Sequence, residues 1–208
     1  MSATVDIEKQ TFTCPKFKSV IQEAVSFMMH SPIHALPPAG RFPGAGVYAL
    51  YYCGDFEHYN HIVITDQDNP QTPIYVGKAV PPGWRVGRVG RIGPSVQPLY
   101  RRLAEHAGSI NEVENLDASD FCCRFIILGG TESDLISACE SQLIRQFAPV
   151  WNTVVDGFGN HTPGKGRFGQ ARSEWDVLHP GRSWASRCRG VPPLLENIVA
   201  KILAHRSG

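Results

Sequence analysis

The chain has 208 residues, 42% hydrophobic and 19% charged, with 20 Lys or Arg against 19 Asp or Glu and a formal net charge of +1. That length and apolar content support a globular domain with a real core and exclude collagen-like, coiled-coil and disordered classes. The near-neutral total hides a segregation and so does not exclude a nucleic-acid partner. Residues 1–77 sum to −3, residues 78–104 to +6 with no acidic residue, residues 105–156 to −7, residues 157–191 to +4 and residues 192–208 to +1. Fourteen of the basic residues are Arg, whose forked donors suit phosphate and guanine edges.

Along the chain, Thr13 and Pro15 predict a helix start, and Val20, Ile21, Ala24, Val25, Phe27 and Met28 give that helix a broad apolar face. The Pro-rich run from His34 to Gly44 reads as a loop. Gly46 to Cys53 is aromatic and β-branched with little alternation, which predicts a strand buried on both faces. Asn60–Thr65 and Pro73–Lys78 read as further short strands around the turn sequence Asp66–Pro70. A Gly- and Pro-rich loop carries Trp84, Arg85, Arg88 and Arg91, and Pro98 then opens a helix over about 97–109.

Phe121–Leu128 is a strand, Thr131 is placed to cap a helix reaching Phe147, and Ala148–Asn152 is expected to leave that helix extended. Residues 156–191 look irregular, and an amphipathic helix closes the chain over 192–205. The order predicts a mixed α/β (α+β) fold with a small antiparallel sheet.

No apolar run approaches the ~20 residues of a membrane helix, and the polar Met1–Gln10 is not a signal peptide. The six cysteines form no CxxC pair, and the three in apolar segments read as reduced core residues of a cytoplasmic protein. Cys53, His58 and His61 lack a fourth ligand at a usual zinc spacing. Gly159–Lys165 reads G-x-x-x-x-G-K, but Gly166 stands where a Ser or Thr would ligate Mg²⁺ and no strand precedes it, so no nucleotide cofactor is expected.

The informative positions are polar residues where the periodicity expects apolar ones. Glu140 lies inside the stripe Ile136, Cys139, Leu143, Ile144, where a carboxylate has to be paired, metal-bound or at the rim of a cleft. Arg102 and His106 are i and i+4 and share one helix face. Tyr48 and Tyr75 sit in adjacent strand segments, each near a glycine.

Together these residues resemble the GIY-YIG nucleases: Gly46-Val47-Tyr48, Tyr75-Val76-Gly77, the Arg102/His106 helix, Glu140 on a later helix and Asn152 after a Pro-apolar run. The resemblance covers roughly 45–153 and implies a three-stranded antiparallel core with flanking helices. That core would follow a helical extension over 1–44, carry insertions at 54–72 and 79–97, and precede a basic loop and helix over 154–208. One departure is the 26 residues between Tyr48 and Tyr75, which leave the pairing of the first two core strands open. Val in place of Ile in both tripeptides is volume-tolerant.

The resemblance implies Mg²⁺-dependent phosphodiester hydrolysis, with one divalent cation held by Glu140, the scissile phosphate gripped by Arg102 and positioned by Tyr75, and Asn152 orienting the constellation. Tyr48 and His106 are rival general bases. The short extensions point to the type II restriction branch, bacterial homodimers cutting palindromic double-stranded DNA, several of them at GC-rich sites of the CCGCGG kind. Arg85, Arg88 and Arg91 would read such a site; Lys78, Lys165, Arg167 and Arg172, with Arg182, Arg187 and Arg189, would hold DNA. The alternatives are a structure-specific repair or homing-type nuclease of the same family and a non-catalytic DNA-binding protein.

Overall fold

A central seven-residue strand with no exposed side chain organises the molecule. In a computed structural model that describes residues 5–60, 72–84, 96–164 and 166–205, the helices α1 (Ile7–Gln10) and α2 (Pro15–Met29) come first. They are followed by β1 (His34–Ala35), β2 (Gly46–Tyr52), β3 (Tyr75–Ala79), α3 (Pro98–Asn111) and β4 (Phe121–Ile127). The helices α4 (Ile136–Phe147), α5 (Val150–Thr153), α6 (Glu174–Leu178) and α7 (Leu195–Ala204) complete the chain.

The sheet is antiparallel in the order β1-β4-β2-β3. It has four strands where three were expected, because His34–Ala35 of the Pro-rich segment pairs with Cys122 and Cys123. The insertion does not prevent the two signature strands from pairing: Tyr48 stands opposite Gly77 and Leu50 opposite Tyr75. The expected strand at 60–65 and its turn lie, after Asn60, outside the described residues.

All seven residues of β2 are buried because strands cover both its edges and helices cover both its faces. Its period of two divides the core. Val47, Ala49 and Tyr51 pack with Ile21, Val25 and Met28 of α2 and Ile136, Cys139 and Leu143 of α4. Tyr48, Leu50 and Tyr52 face the other way, toward Leu99, Leu103 and Ile110 of α3, Trp151, Trp175 and Ile198. Everything near Tyr48 therefore lies on the α3 side, whereas Glu140 reaches the site from the α4 side around the edge strand β3.

Several local expectations are corrected. Cys14, not Thr13, is the N-cap of α2, without a side-chain cap bond. Thr131 does not cap α4, because a 3-10 turn over Gly130–Leu135 precedes it and leaves Leu135 at the cap. Ala148 takes the left-handed conformation (φ 42°) that ends α4, and Pro149 then starts a new turn, so Asn152 lies in α5 and not in extended chain. The described residues of the segment 156–191 are mostly turn and coil, as expected, but include α6 and a 3-10 turn at Ala185–Arg187.

A buried polar chain fastens that segment to α5, to the turn after β2 and to the loop after α3. Trp151 Nε1 donates to Tyr59 Oη at 2.8 Å, Tyr59 Oη meets His179 Nε2 at 2.6 Å, and His179 Nδ1 meets Asn115 Oδ1 at 2.9 Å. Since the amide oxygen of Asn115 only accepts, Nδ1 carries the proton and Nε2 accepts from the phenol. Burial, followed by the charges of Arg182 and His58, pushes the His179 pKa down to about 3.

The unfolded chain takes up a proton near pH 6.5 that the folded chain refuses, so stability is lost as pH falls below that value. At ~1.4 kcal/mol per pH unit, His179 should cost about 2 kcal/mol between pH 6.5 and 5. Urea melts at the two pH values check this: a His179→Asn variant should lose that share of the slope and keep the share owed to the other buried histidine, His106.

Candidate functional site

The site begins with a glycine. Gly77 faces Tyr48 across the β2–β3 pair, and a Cβ at Gly77 would stand 2.3 Å from the Tyr48 hydroxyl. Only the missing side chain lets the phenol lie across β3, where its ring centroid is 6.3 Å from that of Tyr75 and 5.4 Å from that of His106. Gly46 is fixed by a similar constraint, since a Cβ there would be 1.9 Å from the Ile126 carbonyl oxygen of β4. The small residues of both tripeptides are thus packing requirements of the tyrosines and strands beside them.

Tyr48 Oη and His106 Nε2 are 2.6 Å apart and buried. Burial, then the Tyr75 phenol, holds the Tyr48 pKa well above the usual range, with Arg102 opposing. Burial, then the charges of Arg102, His161 and Arg182, holds His106 well below its usual value. Both groups are therefore neutral near pH 7. The Arg102 charge makes the phenol more acidic than burial alone would, which favours Tyr48 donating its proton to His106 Nε2. Burial also raises Tyr75, again against Arg102.

Arg102 itself is clamped from the 157–161 loop and its own helix. Its Nη2 donates to the Gly159 carbonyl at 3.0 Å, and its Nη1 lies 2.7 Å from His161 Nε2 and 3.2 Å from Glu105 Oε2. His161 was not singled out from the sequence, and nothing in its Gly-rich surroundings marks it. Gly159 is tight for a reason: a Cβ there would be 2.9 Å from the Tyr75 hydroxyl. Of the residues that mimic a nucleotide loop, Gly159–Gly164 are coil and turn, and Gly159 and His161 among them contact Arg102.

Asn152 does not reach the phenols. Its Oδ1 accepts from Val76 N at 2.7 Å and its Nδ2 donates to Val76 O at 2.8 Å, while Trp151 N bonds Ile74 O at 3.0 Å. The asparagine thus supplies the outer edge of β3 with the pairing a further strand would give, which sets the residues on either side, Tyr75 and Gly77.

Glu140 closes the site from α4. Its carboxylate, 19% exposed, is 2.7 Å from Lys78 Nζ at the edge of β3. The carboxylate charge is felt by both Tyr48 and Tyr75. Among the described residues no group of three or more His, Cys, Asp or Glu gathers around it. A lone, partly exposed carboxylate already facing a cation fits a hard divalent ion that keeps most of its waters, and does not fit zinc.

The basic residues separate into two kinds. Arg85, Arg88, Arg91 and Lys165 lie outside the described residues, as does His61. Arg167 is exposed and lines a polar hollow of about 270 Å³ with Asn160 and His161; Arg172 is half-buried, and Arg187 lies over the Phe168 ring at 4.4 Å. Arg182 is a correction to the expected DNA contacts: it is 2% exposed. Its Nε bonds Asp176 at 2.6 Å, its other nitrogens donate to the carbonyls of Gly157, Phe158 and Asn160, and Trp175 and Trp184 flank it at 4.4 and 4.8 Å. It holds the loop that holds Arg102.

Arg182→Ala would strand Asp176 as a buried carboxylate and free three carbonyls, at a cost of ~3–5 kcal/mol. Chemical denaturation measures this; a loss under about 1 kcal/mol would contradict the pairing.

A family model described as the Eco29kI GIY-YIG domain matches residues 40–206. No curated protein matches the chain. No helix among the described residues is long and apolar enough to cross a membrane.

Proposed function

Because the chain belongs to the Eco29kI GIY-YIG family and is a site-specific type II restriction endonuclease acting on DNA, we propose that Tyr48 and His106 form its proton-accepting dyad, with Arg102, Tyr75 and Glu140 arranged around the scissile phosphate. The observation that carries this reading is the buried 2.6 Å contact between two neutral groups beside a clamped guanidinium.

In this reading a water between Tyr48 and the phosphorus gives its proton to the phenol oxygen as the phenol proton passes to His106 Nε2. The two rival bases are then consecutive members of one relay, and no phenolate has to exist beforehand, which the raised Tyr48 pKa would make costly. Arg102, whose charge already orders both phenols, gives its free donor capacity to the equatorial phosphate oxygens as negative charge grows there. Tyr75, rigid against Phe158 at 4.9 Å, bounds the space for the phosphate. Asn152 acts at one remove by setting the β3 edge.

Glu140 would hold one Mg²⁺, which when bound would stabilise the leaving 3′ oxygen. Lys78 would then exchange its carboxylate partner for the DNA backbone.

We further propose a homodimer acting on a palindromic, GC-rich site of the CCGCGG kind. One set of site residues per chain suits one strand per copy, and the arginine spacing at 85, 88 and 91 suits guanine edges.

Glu140→Gln should retain binding of duplex DNA and lose at least ~100-fold in Mg²⁺-supported cleavage, the several kcal/mol a bound cation supplies. Digests of a sequenced plasmid with end-sequencing of the products measure activity and site together. Fragments of defined ends support the restriction reading with its palindrome; normal cutting by Glu140→Gln, or products without defined ends, would overturn it.

A further inference from the structure

A second basic feature lies beside the first turns of α3. A cleft of about 790 Å³ opens between the loop that precedes β2 and the first turns of α3, lined among others by Arg41, Pro82, Gln97, Tyr100, Arg101 and Glu105. Arg41 and Arg101 are both exposed, and neither side chain has an ion pair or hydrogen bond among the described residues. By contrast, the neighbouring Arg102 is paired with Glu105 and held by His161 and Gly159. Two guanidiniums from different parts of the chain, without partners among the described residues, therefore converge on one cleft.

The cleft is held rigid. Gly44 N bonds Val96 O at 3.1 Å and Leu99 N bonds Gly44 O at 3.1 Å, tying the Arg41 loop to the start of α3. Phe42, next to Arg41, packs edge-on against Tyr100 at 5.7 Å and stacks on Phe125 at 4.6 Å. Both arginine-bearing segments thus keep their spacing without a ligand, which reduces the ordering cost of binding one.

The cleft also joins the site already described. Arg101 and Arg102 are consecutive on α3, so their side chains leave the helix about 100° apart. Glu105 is common to both, lining the cleft while pairing with Arg102 at 3.2 Å. That pairing neutralises Glu105, the one acid among the described lining residues, and leaves Arg41 and Arg101 without a counter-charge among them.

We propose that this cleft, through Arg41 and Arg101, binds the phosphodiester backbone flanking the scissile phosphate, on the strand that Arg102 engages. The inference rests on the nuclease reading and adds a phosphate-binding site to it. Charges at this position contact phosphates and carry no base information, so the grip is independent of sequence. Tyr100 supplies a fixed aromatic wall beside them.

The test is binding of two duplexes, one containing the cleavage site and one of unrelated mixed sequence, by the full chain in EDTA over a range of salt. Arg41→Ala/Arg101→Ala should lower the slope of log affinity against log salt by about 2, equally on both duplexes, while Arg41→Lys/Arg101→Lys keeps the slope. An unchanged slope in the alanine variant, a loss confined to the cleavage-site duplex, or Lys variants as weak as Ala ones would overturn the cleft. Both positions are exposed, and matching thermal melts separate a binding loss from misfolding. Absence of Mg²⁺-supported cutting by the unaltered protein would instead remove the nuclease reading.

Discussion

The structure depends on one buried contact, the Tyr48 phenol lying across Gly77 onto His106. Its 2.6 Å hydrogen bond exists only because three elements meet with no side chain between β2 and α3. Placing a phenol and an imidazole out of water is costly unless each satisfies the other. Their neutrality follows: the same burial that raises the phenol pKa lowers that of the imidazole. The state of the pair is therefore set by the packing: a preformed hydrogen bond between two neutral groups and no standing charge.

Around that pair, each supporting contact acts at a different range. Asn152 sets the edge of β3 by holding the Val76 backbone. The loop at 157–161 sets Arg102, and buried Arg182 sets the loop. Glu140 arrives from the opposite sheet face, which is why its charge reaches the phenols around the edge strand and is balanced in place by Lys78. A site assembled from both faces of a small sheet needs that sheet to be rigid, and the fully buried β2 provides this.

Much of this was legible in the sequence because it is local. The continuous apolar run at 46–52 announced a strand buried on both faces, and the i, i+4 spacing placed Arg102 and His106 on one helix face. Glu140 stood out against its apolar stripe. What was not legible depends on partners far along the chain. Arg182 looks like surface charge until Asp176 and the rings of Trp175 and Trp184 enclose it; the aromatic residues on either side of that Asp–Arg pair were the available signal. Asn152 was expected in extended chain, yet a left-handed Ala148 starts a new turn and brings its amide to the strand edge. His161 had no signal at all, since a histidine in a Gly-rich loop acquires meaning only when Arg102 is beside it. Net charge misled in the same way: near-neutrality of the whole conceals the division between basic loops and an acidic stretch.

The protonation state of the central pair is open to direct measurement. Long-range ¹H–¹⁵N spectra of the full chain, with Tyr48→Phe to assign the resonance, report the two ring nitrogens of His106 as pH is lowered from neutral to below the usual imidazole value. The account predicts a single neutral tautomer with the proton on Nδ1 and an unprotonated Nε2 that persists below pH 6.5, the ordinary His value. An imidazole that titrates at its ordinary pKa, or one already doubly protonated at neutral pH, would contradict a phenol donating to a neutral histidine.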